Sequence, residues 1–498
     1  MFVRMNCRPT QIHRCRRRIT LCVVASVATC LTAASAADEI SPEQAARALR
    51  KSVDFFEKQV SAEGGYLWQY SRDLDRREGE GRADARTAWV QPPGTPTVGM
   101  TLLRLYQLTE DPHYLKSARR TAGALIAGQL RSGGWDYRIV FEPKARARYA
   151  YRVDPVGKKS VRNTTTLDDN VTQAALRFLM QIDRELKFQD KAVHEAARFG
   201  LESLLKAQYP NGGWPQRYSK FPNPSDYPVR KASYPDSWSR TYAKRDYKGD
   251  YTFNDNSIAD VISIMFLAAD VYKDERYAAA AKKAGDFIIL AQMPEPQPAW
   301  AQQYNSQMQP AWARKFEPPS ITGGESQGIL RTLLVLYRKT GNKKYLEPIP
   351  RALAYLKKSE LPGNKLPRFL ELETNRPLYF TKDYQLTYSS DDMPTHYGFI
   401  VGSSVKSIEA AYLRVLRMPA AKLDLPPKEK RYRLTPSVKE RARAAVAAMD
   451  KRGAWVLQGR LKYHGPDDDT TQVIDTKTFI RHTTALAEYL SASKAAGK

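Results

Sequence analysis

From residue 42 onward, apolar positions recur at i, i+3, i+4 and i+7, as in Leu102, Leu105 and Tyr106 or Leu176, Leu179 and Met180. That spacing is the mark of helices with one buried face. Four segments follow a common plan: an apolar helix, a short turn, and a second helix opening on a Tyr or an equivalent apolar residue. The predicted pairs are 98–109 with 114–129, 171–182 with 193–208, 258–272 with 277–292, and 327–340 with 345–358. Glu110-Asp111-Pro112 and Thr340-Gly341-Asn342 supply turn chemistry between partners. A half-repeat over 42–60 comes first, and further helices are predicted at 405–415, 438–449 and 483–493. Gly64-Gly65-Tyr66, Gly133-Gly134-Trp135 and Gly212-Gly213-Trp214 each follow a helix ending near a Gln (Gln59, Gln129, Gln208). Helix pairs repeated in this way bury a shared core by stacking. Their size and irregularity predict an all-α fold, an α/α toroid (an incomplete barrel of helix hairpins) with a cleft at one end. The polar stretches 72–91, 143–163 and 221–250, rich in Arg, Lys and Tyr, are placed as loops shaping that cleft.

The first 36 residues stand apart. Six arginines (Arg4, Arg8, Arg14, Arg16, Arg17, Arg18) precede an apolar run over 19–33 and the small-residue pattern Ala34-Ser35-Ala36. This reads as a secretory signal peptide, with the apolar run too short to span a bilayer. Arg16-Arg17 as a twin-arginine signal and Thr29-Cys30 as a lipid-attachment site are the alternatives. All four cysteines (Cys7, Cys15, Cys22, Cys30) fall in this segment, so residues 37–498, read as one toroid domain, contain neither disulfide nor thiolate chemistry. The expected core is 85–400, with 401–498 as C-terminal helices and 418–430 as a linker. The chain carries 79 Lys+Arg against 53 Asp+Glu, a formal charge of +26. Without the six leader arginines that becomes +20. Aromatics at 10% exclude a disordered acidic protein. An exported cationic protein points to an anionic polymer outside the cytoplasm as partner, with no nucleic acid and no membrane span.

With six histidines and no cysteine beyond the leader, metal–histidine and histidine-triad chemistry are unsupported. Carboxylates and arginines concentrate at loop–helix junctions instead. Thr166-Leu167-Asp168-Asp169-Asn170 and Phe253-Asn254-Asp255-Asn256 precede consecutive inner helices. Taken singly, each reads as a helix N-cap. Brought to one end of a toroid, their hard oxygen ligands suit Ca²⁺, and paired carboxylates equally suit glycoside hydrolysis. Ala313-Arg314-Lys315-Phe316-Glu317 lies in a Pro-bounded aromatic loop. Arg368, Arg376 and Lys382 fall in an aromatic-rich segment, three cations suited to the carboxylates of a polymer.

These segments together resemble the family 10 polysaccharide lyases, the pectic acid lyases of α/α-toroid fold, over about residues 85–397. The anchors are Thr166-Leu167-Asp168, Gly212-Gly213-Trp214-Pro215-Gln216-Arg217-Tyr218, Phe253-Asn254-Asp255-Asn256, Ala313-Arg314-Lys315-Phe316-Glu317 and Arg368 with Asn375-Arg376-Pro377. The resemblance implies a secreted enzyme, expected as a monomer, cleaving polygalacturonate or a related uronic acid polymer by Ca²⁺-assisted β-elimination. It implies Arg314 as base, Asp168 and Asp255 as catalytic and Ca²⁺-binding acids, and substrate contacts from Lys315, Arg368, Arg376, Lys382, Trp214 and Arg217. Asp169-Asn170 stand where the family pattern has Asn-Gly, Lys382 replaces an Arg, and a downstream Arg-Arg-x-Gly-Tyr element is missing, with Thr395-His396-Tyr397-Gly398 nearest to it. The competing readings are a glycoside hydrolase using Asp168 and Asp255 on an acidic polysaccharide, a non-catalytic binder of such a polymer, and a diphosphate-processing cyclase. The export signal and the absence of a longer acidic motif argue against the last.

Overall fold

Three outer helices begin on an Asp that accepts a backbone N–H of the first turn: Asp111 from His113 (2.9 Å), Asp190 from Val193 (3.3 Å) and Asp274 from Arg276 (3.1 Å). Such caps satisfy orphan donors and fix where each outer helix turns back along its inner partner. The computed structural model describes residues 40–156, 161–425 and 430–497. The expected signal segment 1–36, its four cysteines and Pro426-Pro427 of the expected linker lie outside these.

The helices are α1 (Pro42–Phe55), α2 (Thr95–Thr109), α3 (Pro112–Gly128), the one-turn α4 (Pro143–Arg146), α5 (Val171–Glu185), α6 (Lys191–Ala207), α7 (Ser257–Tyr272), α8 (Glu275–Leu290), α9 (Gly323–Thr340), α10 (Ile349–Lys358), α11 (Val405–Leu416), α12 (Pro436–Ala447) and α13 (Thr476–Ala496). The inner helices pack side by side in the order α13, α2, α5, α7, α9, α11, and α3, α6, α8 and α10 back onto them as the outer layer. This is an α/α toroid. Helix α10 starts later than its periodicity predicts: Lys343–Tyr345 forms a separate 3₁₀ turn, because Pro348 and Pro350 supply no N–H and reset the helix start.

One device repeats at the end of the outer helices. The side-chain amide of Gln129 donates to Gly133 O (2.9 Å) and Ala196 O (2.8 Å), and that of Gln208 to Gly212 O (3.0 Å) and Ala280 O (2.9 Å). Gln292 does the same to Pro298 O and Pro348 O. Each Gln thus ties its own loop to the next outer helix. Gly212 has φ +98°, and a Cβ there would meet Lys283 O at 2.1 Å; only glycine tolerates both. The following Trp135, Trp214 and Trp300 are buried, their indole N–H groups donating to Leu125 O, Leu204 O and Ile288 O, each at 2.8 Å.

The helical repeat also carries short antiparallel strand pairs that periodicity does not predict. Residues 87–89 pair with 138–140, 165–166 with 217–218, 251–252 with 303–304, and 321–322 with 369–370. Each pair fastens the approach to an inner helix to a loop beyond an outer one. Residues 472–475 pair with both 69–71 and 456–458, joining the approach to α13 to the segment that follows α1. Among the described residues, no helix is long and apolar enough to cross a membrane.

Candidate active site

The approaches to α5 and α7 are the same turn made twice. Thr166 Oγ1 accepts the Asp168 N–H (3.3 Å), and Thr252 Oγ1 accepts the Asn254 N–H (3.0 Å). Leu167 and Phe253 anchor the turns in the core. The next two residues are left-handed in both: Asp169 (φ 51°) and Asn170 (φ 57°), Asp255 (φ 48°) and Asn256 (φ 57°). Asp and Asn are the side chains that best tolerate this conformation. Gln173 Nε2 donates to Leu167 O (2.7 Å) and Ser257 O (3.4 Å), locking one turn beside the other. The geometric partner of Asp255 is therefore Asp169, while Asp168 matches Asn254.

Asp168, Asp169 and Asp255 each offer a carboxylate oxygen, all within 4.8 Å of one another. They line a cavity of about 690 Å³ with Asp136, Tyr137, Arg162, Arg217 and Arg314. Asp168 is buried; its Oδ2 accepts from Tyr137 (3.1 Å) and Arg217 (3.1 Å), with Arg314 at 3.5 Å. Its Oδ1 is buried without a partner. Tyr137 also donates to Asp169 (2.8 Å). Burial and then the Asp168 charge raise the Asp169 pKa. Burial, with Asp168 and Asp169, pushes Asp255 up to about 7. Three carboxylates this close disfavour joint ionisation unless a cation sits among them. The orphaned Asp168 oxygen and the all-oxygen donor set fit a hard divalent ion held by Asp168, Asp169 and Asp255.

Arg314 arrives from a loop fixed at several points. Its N–H donates to Glu317 Oε2 (3.0 Å), and its guanidinium lies 3.5 Å from both Glu317 and Asp168. Trp312 is buried and its indole donates to Ser239 O (2.8 Å). Arg245 donates to Trp312 O (2.6 Å) while forking onto Asp250 (2.7 and 2.8 Å). Burial works against the charge on Arg314, but Glu317, Asp168 and Tyr247 outweigh it and hold its pKa above the ordinary value. Acids face the Arg314 guanidinium, and among the described residues no neighbouring cation loosens its proton. Lys315 places its ammonium 3.3 Å from the centre of the Tyr384 ring.

The other expected contacts divide. Arg217 lies in the acidic cavity. Arg368 is bound to Glu325 (2.8 Å), Tyr397 (3.3 Å) and Gly398 O (2.7 Å), close enough to Asp255 to feel its charge. Arg376 sits 3.4 Å from the Tyr388 ring centre, in a separate cluster where Tyr388 and Arg240 donate to Glu371. Lys382 is exposed and paired with Asp392 at 2.9 Å. Trp214 is a core side chain, buried with its indole N–H held by Leu204 O, and so offers no ring to a ligand. Periodicity and motif reading missed Asp169, Tyr137, Glu317 and Tyr397. For Asp169 the signal was present: Thr166–Asn170 and Thr252–Asn256 share the pattern Thr, apolar, Asp/Asn, Asp, Asn. Tyr397, which donates to Glu317 (3.0 Å), is 80 positions from it, and no local pattern reveals that pairing.

Residues 144–366 match the family model described as pectic acid lyase. Among solved structures, a mutant family 10 polysaccharide lyase from Cellvibrio cellulosa in complex with trigalacturonic acid is 20% identical, with TM-score 0.44, over 64% of this chain and 98% of that one. The family 10 lyase from the same organism is 21% identical, with TM-score 0.42, over 63% and 98%. A glycoside hydrolase family 76 mannosidase from Bacteroides thetaiotaomicron is 11% identical, with TM-score 0.42, over 92% and 99%. No curated protein matches significantly. The stretch 144–366 holds both acidic turns, Arg217 and Arg314, so the similarity to the pectic acid lyase model falls on the acidic turns and the two arginines of this cavity.

Proposed function

We propose that this chain is an exported lyase that cleaves polygalacturonate or a related uronic acid polymer by Ca²⁺-assisted β-elimination. The observation that carries the reading is the group Asp168, Asp169 and Asp255 facing Arg217 and Arg314 across one cavity. Elimination removes H5, spreads the charge onto the C6 carboxylate and expels the C4 oxygen. Arg314, in its neutral form, takes H5. Arg217 and Arg368 hold the uronate carboxylate by charge-assisted forks, aimed at the charge that develops. A divalent ion on the three aspartates would supply further charge neutralisation to that carboxylate and offset the acid that keeps Arg314 protonated. Because Glu317, Asp168 and Tyr247 raise the Arg314 pKa, the base form grows only toward alkaline pH, and the rate rises with pH accordingly.

The test is absorbance of the conjugated unsaturated uronide, with purified protein, polygalacturonate and Ca²⁺ at alkaline pH. The expected outcome is a rising trace that EDTA stops, abolished in Arg314→Lys while polymer binding persists. Loss of binding in that variant would make Arg314 a substrate clamp and not the base. One observation favours a second reading: Asp255, with its pKa near 7, suits the general acid of a glycoside hydrolase. New reducing ends under a flat absorbance trace would establish that reading in place of elimination.

A further inference from the structure

A second cavity, of about 710 Å³, adjoins the acidic one, and Arg162 and Arg217 line both. Both volumes fall in the range of about 300–1,000 Å³ usual for ligand sites. The outer walls of the second cavity come from the polar 221–250 stretch and the residues just before it. Part of the lining is aromatic. Phe221 is 47% exposed and lies flank to flank with Tyr218 (ring centres 6.1 Å apart), and the half-buried Tyr227 packs on Tyr209 at 4.2 Å. Tyr209 is itself fixed by its hydroxyl donating to Gly249 O. The cations of the lining are Arg162, Arg217 and the exposed Lys220 and Lys248. Two acids, Asp226 and Asp246, share the rim, so cations outnumber acids by two among the lining residues. The Lys248 carbonyl accepts the Arg217 N–H (3.3 Å), tying the end of the stretch to the residue between the cavities. Arg217 Nε is buried with no partner.

We infer that this second cavity is a distal binding subsite for an anionic polysaccharide. The chain would pass from the acidic cavity between Arg162 and Arg217 and lay sugar rings on Phe221 and Tyr227, with carboxylates facing Lys220 and Lys248. The inference rests on the proposed substrate class, but not on the cleavage chemistry. Flat apolar faces beside cations suit a ring that carries C–H bonds on one face and a carboxylate at its edge. An uncharged glycan leaves the lysines without a role, and a small anion leaves the aromatic wall without one. The polymer satisfies both.

The experiment measures binding of polygalacturonate and of trigalacturonate to wild type, Phe221→Ala and Lys220→Ala/Lys248→Ala, by titration calorimetry at low and at 0.5 M salt, with unsaturated-uronide absorbance followed in parallel. These exposed positions carry no core packing, and unchanged melting curves check that. The polymer affinity of each variant is expected to fall at least about fivefold more than its trimer affinity. The lysine effect should shrink at high salt and the Phe221 effect persist, since screening acts only on the charges. Equal losses on polymer and trimer, no loss in either variant, or no polymer binding by wild type would each overturn the subsite. Wild type that binds without raising absorbance would sink the lyase reading and leave the subsite standing.

Discussion

Asp169 and Asp255 occupy equivalent left-handed positions in two copies of one turn, and both point their carboxylates at the buried Asp168. Folding therefore brings three acids together at a cost. The Asp255 pKa of about 7 means that the folded state holds a proton that the unfolded chain releases near 4. Stability is then lost as pH rises from about 4 through about 7, and the cost is complete above that. Asp255→Asn removes it, so in the absence of metal the variant should melt higher than wild type at pH 8, with the difference shrinking toward pH 4. Added Ca²⁺ should raise the wild-type melting temperature more at pH 8 than at pH 5, because at the lower pH it must displace a proton. Thermal melts of both proteins across that range, with and without Ca²⁺, check the sign. A Ca²⁺ shift that is equal at both pH values would remove Asp255 from the ligand set.

At the scale of elements, the loop that carries Arg314 has no regular structure of its own and is held from outside. Arg245, from the polar stretch before α7, connects Asp250 to the carbonyl of Trp312, and Gln303 adds a bond to the same Asp250 (3.1 Å). Trp312 in turn packs with Phe369, Leu378 and Phe380 from the strands beyond α10. Arg245→Ala frees the carbonyl two residues before Arg314. Since small misplacements of a reacting group weigh heavily on rate, kcat should drop about tenfold or more with little change in KM. Arg245→Lys, which keeps the charge but not the fork, should fall between. Steady-state kinetics on a uronan decide it; a KM effect alone would make Arg245 part of the substrate surface. The helices themselves were legible from apolar spacing and Asp caps. The strand pairs were not, because strands of two to four residues have no period to read and exist only where distant loops meet.

The whole ring depends on residues outside the family-matched stretch 144–366. Helix α13 packs on α1, α2 and α12, and Phe479 stacks on Phe56 with ring centres 3.8 Å apart. Phe479→Ala should cost about 3–5 kcal/mol and lower the melting temperature by several degrees, and a melt within a degree of wild type would show that closure is dispensable. Charge acts at this scale too. An excess of Lys and Arg over Asp and Glu attracts polyanions from a distance, independently of any one contact. The sequence alone determined the helix-pair repeat, its Gly-Gly-Trp loops, the cationic balance and the two acidic turns, since each follows from local spacing or composition. Only the tertiary structure decided which of those residues meet. It made Asp169 the third acid, turned Lys315 onto Tyr384, buried Trp214, and set Glu317 and Asp168 against the Arg314 proton. The physical reason is that burial and through-space charge depend on neighbours tens of residues away, about which local periodicity carries no information.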